Sequence, residues 1–124
     1  MLRESDAVAN LAVKDLTAAT RFYERVLGFE PVGRQADEVV IYRSGASTFN
    51  VYRSKEAGTN KATAVTWTVD DLKGTVETLK SKGVVFEHYD MPGLTLDGDI
   101  HVGYGMQVAW FKDPDGNILN LVGR

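Results

Sequence analysis

Few residues in this sequence could do acid–base chemistry near neutral pH. His88 and His101 are the only histidines, and the chain contains no cysteine. A histidine beside a carboxylate can act as a general acid or base, whereas the lack of cysteine excludes disulfides, thiolate nucleophiles and zinc–thiolate sites. Together with Asp90, Asp97 and Asp99 the histidines could form a metal site, but no pair has helical metal-binding spacing. Hydrogen-bonded or exposed histidines are the simpler interpretation.

Polar side chains also occupy strand positions that would otherwise be apolar. Asn50 and Asn120 each lie between two large apolar residues, a few positions after a turn glycine. Because side chains alternate between the two faces of a sheet, both asparagines should point away from the core. Asn10 and Thr66 also alternate with apolar residues in their own segments, so they should point away from the core as well. A concave face lined with such residues is typical of a ligand-filled groove.

Aromatic residues near these positions could contact a planar ligand. Tyr52 shares the predicted face of Asn50, and Tyr104 and Trp110 lie at or near the seventh predicted strand. Their rings could stack on an aromatic molecule, whereas Trp67 and Phe111 are predicted core residues. We therefore expect ligand-binding side chains at the following positions: Asn10, Asn50, Tyr52, Thr66, His88, His101, Tyr104, Trp110 and Asn120.

An internal repeat positions these residues. The segment Val13-Lys14-Asp15-Leu16 recurs as Val69-Asp70-Asp71-Leu72, and a helical pattern follows each copy. The aspartate before each leucine can cap a helix, and Gly28 and Gly83 can end the two helices in a left-handed conformation. The first helix should cover residues 16–27. A repeat of this kind predicts two modules with one architecture.

Alternating segments predict four strands in each module. Each half is therefore β-α-β-β-β, and the second contains an extra loop at residues 91–103 that is either a surface excursion or a lid over a pocket. The run Asp113-Pro114-Asp115-Gly116-Asn117 predicts a tight turn rather than a calcium loop, because its glycine is misplaced and the closing glutamate is missing. The predicted strands are residues 7–13, 29–35, 38–43, 47–53, 63–69, 84–90, 105–112 and 117–122.

These motifs resemble the vicinal oxygen chelate superfamily, which includes glyoxalases, ring-cleaving dioxygenases and bleomycin-resistance proteins. The resemblance covers essentially the whole chain and implies an α+β fold with two tandem βαβββ modules forming a curved mixed sheet. It implies one domain over residues 1–124, with modules at 7–54 and 62–123. The matching segments are Val13–Leu16, Arg21–Tyr23, Leu27–Phe29, Val69–Leu72 and Phe111–Asn117.

The resemblance also identifies where family enzymes commonly hold a metal. Two ligands, usually histidine, lie five residues before the valine of each repeated motif, and here these positions are Val8 and Ala64. The other two, usually glutamate, match Asn50 and Asn120. Valine and alanine have no lone pair, and two neutral amides do not replace the imidazole and carboxylate ligands of catalytic divalent sites. The pattern resembles the metal-free, bleomycin-resistance-like branch, which implies no cofactor and a homodimer that sequesters a small planar or aromatic ligand.

Composition limits the other classes of function. A net charge of −3 argues against nucleic-acid binding, and no apolar run approaches the roughly 20 residues that span a bilayer. A polar N-terminus and the absence of cysteine favour a cytoplasmic location. Three hypotheses remain. The first is a metal-independent binding or sequestering protein. The second is a glyoxalase-like lyase or isomerase with a rearranged or metal-free active site, and the third is a regulatory module with a vestigial groove.

Overall fold

Asp15 and Asp71 begin the two helices, as the repeat predicts. In the computed structural model, which describes residues 1–123, the Asp15 carboxylate accepts hydrogen bonds from the backbone N–H groups of Thr17 and Ala18. Asp71 accepts one from the N–H of Gly74 at 3.0 Å. Each carboxylate satisfies amide groups that have no partner inside the helix, so the two copies of the motif have the same local function.

The chain divides into a first unit, Met1–Gly58, and a second that begins at Thr59. Each unit has its own mixed sheet and one main helix, which confirms the α+β class with βαβββ modules. The module bounds 7–54 and 62–123 stay a prediction, and Arg124, the last residue of the predicted domain, lies outside the described residues.

Between residues 1 and 123, the two units contain ten strands and four helical segments. The first unit contains a 3-10 helix (Leu2–Glu4), β1 (Ala9–Val13), α1 (Leu16–Thr20), a π-helical segment (Arg21–Val26), β2 (Glu30–Gln35), β3 (Val39–Ser44) and β4 (Ser47–Arg53). The second contains β5 (Thr63–Val69), α2 (Leu72–Ser81), β6 (Phe86–Glu87), β7 (Thr95–Asp97), β8 (Ile100–Gly103), β9 (Met106–Lys112) and β10 (Ile118–Gly123).

The sheet of the first unit has the strand order β1-β4-β3-β2. The strands that come first and last along the chain in this unit, β1 and β4, are parallel neighbours, and the other pairs are antiparallel. One face of this sheet is buried together with side chains of the helical region. The buried residues of this core include Leu11, Val13, Ala19, Tyr23, Val40, Tyr42, Phe49 and Val51.

The helix predicted over residues 16–27 spans Leu16–Val26, but its second half is not α-helical. From Arg21 the helix widens into a π-helical segment, in which Leu27 donates its N–H to the carbonyl of Phe22. The buried Tyr23 ring lies within this segment and packs at 6.0 Å from Tyr42. Apolar residues recur at a similar spacing in both helix types, so the periodicity alone did not distinguish them.

The second sheet follows the order β5-β10-β9-β8-β7, with β6 also paired to β9. Its first and last strands, β5 and β10, are again parallel neighbours. Helix α2 buries Leu72, Val76 and Leu79, as its apolar stripe predicts. Gly83 follows the helix with a φ of +93°, the left-handed conformation expected for a helix stop.

Two predictions for the second half are wrong. The strand expected at residues 84–90 is reduced to Phe86–Glu87, because the N–H of Tyr89 donates to the His101 ring at 2.9 Å and not to a strand. The loop expected at residues 91–103 contains the β7–β8 hairpin, which extends the sheet. Gly98, with a φ of +64°, lies in the tight turn of that hairpin.

Helix α2, at ten residues, is the longest α-helix between residues 1 and 123. No helix in that range combines the length and the apolar character needed to cross a membrane.

Candidate functional site

The outer face of the first sheet carries a pair of asparagines. Asn10 of β1 and Asn50 of β4 are register partners, and Asn50 donates its side-chain N–H to the Asn10 side-chain oxygen at 3.1 Å. Asn10 in turn donates to the carbonyl of Val8 at 3.3 Å. Tyr52, two residues after Asn50, pairs with Ala12 and is half-buried on the same face. The structure therefore brings together three of the predicted site residues.

An equivalent row crosses the second sheet. Thr66 of β5, Asn120 of β10 and Trp110 of β9 are successive register partners, so their side chains share one face. His101 of β8 pairs with Val108, two residues before Trp110, and belongs to the same face. Four further predicted site residues are thus neighbours, and the row Thr66–Asn120 repeats the place of Asn10–Asn50 in the first unit.

Trp110 is the centre of this row. Its indole N–H donates to the Thr63 hydroxyl at 3.0 Å. Thr63 belongs to β5, so this hydrogen bond spans the intervening strand β10. The ring centroid lies 4.8 Å from that of His101 and 5.4 Å from that of Tyr89, both in edge-on geometry. Trp110 is 9% exposed. Trp110, His101, Asn120 and Tyr89 are called the Trp110 cluster below.

Three polar atoms of the Trp110 cluster are buried without a hydrogen-bond partner in the part of the chain that the structure describes. They are Nδ1 of His101, Oδ1 of Asn120 and the hydroxyl of Tyr89. His101 is 1% exposed and Asn120 8% exposed. A buried polar atom without a partner costs about 1–3 kcal/mol, and such atoms in native proteins call for an explanation.

The hydrogen bond at His101 fixes its tautomer. Nε2 accepts the N–H of Tyr89 at 2.9 Å, so this nitrogen carries a lone pair. A neutral imidazole then has its proton on Nδ1. The unpartnered Nδ1 is therefore a donor, whereas the unpartnered Oδ1 of Asn120 is an acceptor.

His88 belongs to a different network. Its Nε2 lies 2.7 Å from the Asp99 carboxylate, which also accepts the Lys80 ammonium at 2.7 Å. Hydrogen bonds from Lys80 and His88 lower the pKa of Asp99 below its ordinary value. This network ties His88 to helix α2 through Lys80. It lies at the surface, because His88 and Lys80 are both exposed.

Tyr104 lies in the turn between β8 and β9. Its φ is +53°, its side chain is 75% exposed and its hydroxyl donates to the carbonyl of Pro92 at 3.3 Å. The ring covers Gly93, where any side chain would overlap it. Tyr104 thus supports the segment before β7.

The positions that resemble a metal site do not fit a divalent ion. Val8 and Ala64 offer no ligand atom, and the Asn50 amide N–H is directed to Asn10. Asn120 contributes one neutral oxygen. Between residues 1 and 123 there is also no cluster of three or more histidines or carboxylates that could hold a metal. The combination of His88, His101 and nearby aspartates weighed from sequence is therefore not assembled.

A cleft of about 520 Å³ lies on the helix side of the first unit, opposite the asparagine pair. Two of its three cationic lining residues, Arg34 and Arg53, form ion pairs with Glu24 at 3.2 Å and Glu38 at 3.4 Å. Val40, a residue of the helix-side core, also lines it. None of the predicted site residues lines this cleft.

Sequence reasoning left Tyr89 and Thr63 out of the site. Tyr89 follows the end of β6, where alternation no longer predicts direction. Thr63 reaches the Trp110 face because the register between β5 and β10 shifts at Ile118. A bulge of this kind redirects one side chain and leaves no clear pattern in the sequence.

Comparison with known proteins relates the chain to one large family. The family model described as the Glyoxalase/Bleomycin resistance protein/Dioxygenase superfamily matches residues 6–121. A comparison with curated protein sequences finds no significant match.

Solved structures with the same fold include ligand-binding proteins. A bleomycin-binding protein solved in complex with bleomycin is 25% identical, with a TM-score of 0.72 over 97% of this chain and 98% of that one. A bleomycin resistance determinant encoded on transposon Tn5 is 26% identical, with a TM-score of 0.71 over 97% and 98%. A lactoylglutathione lyase from Agrobacterium tumefaciens is 19% identical, with a TM-score of 0.71 over 96% and 93%, and shows the fold alone.

Proposed function

Because the chain belongs to the glyoxalase/bleomycin resistance protein/dioxygenase superfamily, we propose that it binds and sequesters a small organic molecule without a metal ion. The proposal rests on one observation above all. The four positions that resemble a metal site are Val8, Asn50, Ala64 and Asn120, and the two asparagines pair in register with the uncharged polar residues Asn10 and Thr66. Such residues can hold a ligand by hydrogen bonds, but the four positions lack the imidazole and carboxylate ligands that retain a divalent ion.

The two relatives at 25% and 26% identity support binding as the function. One was solved with bleomycin bound, and the other is a bleomycin resistance determinant. The Trp110 cluster supplies an aromatic surface and unpartnered polar atoms, the features by which a pocket recognises a planar molecule. We include a homodimer and a cytoplasmic location in the proposal.

A glyoxalase-like reaction is the alternative, and the contacts of His101 argue against that residue as its base. A general base needs a free lone pair within reach of the substrate. The lone pair of His101 already accepts the N–H of Tyr89. Protonation there would break a buried hydrogen bond, so His101 suits binding better than proton transfer.

The first experiment is a calorimetric titration of the purified protein with bleomycin and with a panel of planar aromatic compounds. We expect saturable binding with no dependence on added chelator. Asn120→Ala should weaken binding about 5- to 150-fold, the equivalent of roughly 1–3 kcal/mol for one buried polar contact. Asn50→Ala should weaken it less, because its amide N–H already has a partner in Asn10.

Asn60→Ala is the matched control. Asn60 lies in an exposed loop, where its side chain accepts the nearby N–H of Ala62, and its loss should leave affinity unchanged. Elemental analysis of protein prepared without chelators completes the test. Stoichiometric zinc, nickel, iron or manganese, or turnover of a glutathione hemithioacetal, would contradict the proposal and support the enzymatic alternative.

A further inference from the structure

The Trp110 cluster restricts the kind of ligand that it can bind, because one of its unpartnered atoms is a hydrogen-bond donor and another is an acceptor. His101 presents a donor at Nδ1, since its other nitrogen accepts the Tyr89 N–H at 2.9 Å. Asn120 presents an acceptor at Oδ1. The two residues flank Trp110 on strands to either side of β9. A molecule lying against this indole would meet a donor on one side and an acceptor on the other.

The charged side chains near the indole cancel one another. Glu87 pairs in register with Trp110, and Lys112 lies two residues after Trp110 on the same face. Their side chains form an ion pair at 3.4 Å. A charged ligand would have to leave its hydration without gaining an unpaired counter-charge here, which is unfavourable. The surroundings therefore favour an uncharged molecule.

Tyr89 packs over the Trp110 indole, and in this position its own hydroxyl is buried without a hydrogen-bond partner among residues 1–123. Its ring packs edge-on against Trp110 at 5.4 Å and lies 6.2 Å from His101, while its hydroxyl is buried without a partner. A phenol hydroxyl normally finds a partner when it is buried. Rotation of the side chain outward would hydrate the hydroxyl and uncover the indole. The residue lies outside the helices and strands, just after β6, where such a rotation disturbs no ladder.

We propose that Tyr89 is a displaceable cover over a subsite formed by Trp110, His101 and Asn120. The subsite takes an uncharged planar molecule that offers a hydrogen-bond acceptor to Nδ1–H of His101 and a donor to Oδ1 of Asn120. Lactams and amide-bearing heteroaromatic compounds have this chemistry. This inference rests on the proposed function, and it names the class of ligand for that site.

The test compares four bicyclic probes of similar size on the wild-type protein: naphthalene, quinoline, quinolin-2-one and 2-naphthoate. Binding is followed by the indole N–H resonance of Trp110, assigned with the Trp67→Phe variant. Quinolin-2-one, which has both an acceptor and a donor, should bind about ten-fold more tightly than naphthalene, as expected for satisfying a buried polar pair. Quinoline should be intermediate, and 2-naphthoate should be no better than naphthalene.

A second readout concerns His101 directly. Nitrogen-labelled histidine spectra should show the Nδ1–H tautomer, and quinolin-2-one should move that proton downfield while the exposed His88 stays unchanged. His101→Phe and Asn120→Leu should each abolish the preference for quinolin-2-one over naphthalene. Tyr89→Ala should tighten quinolin-2-one binding several-fold, because no cover has to be displaced.

The outcomes separate this inference from the proposed function. Equal affinity for all four probes, a preference for 2-naphthoate or an Nε2–H tautomer would overturn the inference, even if bleomycin binds and depends on Asn120. Weaker binding by Tyr89→Ala would show that Tyr89 is a wall of the site and would overturn its function as a cover. Failure of bleomycin and of every probe to bind would overturn both.

Discussion

At the scale of single residues, Tyr42 shows how the first unit holds a polar group in its core. The side chain is fully buried, and its hydroxyl donates to the Glu24 carboxylate at 2.9 Å. Arg34 binds the same carboxylate oxygen at 3.2 Å. Burial, and then the hydrogen bond and charge of Glu24, raise the pKa of Tyr42 above its ordinary value of 10.0.

This shift predicts how stability depends on alkaline pH. Between the ordinary tyrosine pKa and the higher folded-state pKa of Tyr42, the unfolded chain loses a proton that the folded chain keeps. The free energy of unfolding should therefore fall as pH rises above about 10. Urea denaturation from about pH 9 to 11 should show a steeper fall in wild-type protein than in Tyr42→Phe. Parallel curves for the two proteins would contradict the prediction.

Residue-scale reasoning from sequence found much of the candidate site but not its cover. Alternation along β1, β4, β5 and β10 was enough to place Asn10, Asn50, Thr66 and Asn120 on polar faces. It was not enough for Tyr89, whose position depends on a hydrogen bond from its backbone to the ring of His101, in a different strand. Contacts between residues distant in sequence leave no periodic signal.

At the scale of elements, the start of α2 depends on a coupling between Asp71 and Gly74. Glycine inside a helix is normally less stable than alanine by about 1 kcal/mol. Here a Cβ at position 74 would overlap the Asp71 carboxylate that caps the helix. The glycine therefore leaves space for the cap, and its helix-weakening effect is partly offset.

A double-mutant cycle tests this coupling. In the wild-type background, Gly74→Ala should give no gain in stability, because the added methyl group displaces the cap. In the Asp71→Ala background, the same change should stabilise by about 1 kcal/mol, the ordinary difference in helix propensity. Chemical denaturation measures all four proteins. The same gain in both backgrounds would show that the cap and the glycine are independent.

The elements differ in how far sequence could predict them. The caps, the glycine stops and seven of the eight expected strands depend on local chemistry, and the structure has them within two residues of the prediction. The sequence pattern predicts a loop where the structure has the β7–β8 hairpin, because the strands of this hairpin are very short. Such strands are stable only when they extend an existing sheet, and a local pattern does not contain that information.

At the scale of the whole molecule, we expect the homodimer that the family resemblance implies. A unit of about 60 residues buries only about 60% of the surface of its unfolded chain, so association would add stability to both units. Light scattering coupled to gel filtration should give a mass twice that of one chain, at the concentrations used for ligand titration. A monomeric mass throughout that range would contradict the expectation.

The parallel pairing of first and last strands has a consequence for synthesis on the ribosome. Ala9 pairs with Phe49 and Thr63 with Ile118, so each sheet is completed by the final strand of its unit. The first unit has all its strands once Arg53 has emerged, and it can fold while the second is still being translated. A nascent chain that stops before β10 leaves β5 as an open edge, and open edges recruit other chains into aggregates. Premature termination just before Ile118, where β10 begins, should therefore yield an aggregating product with an intact first unit.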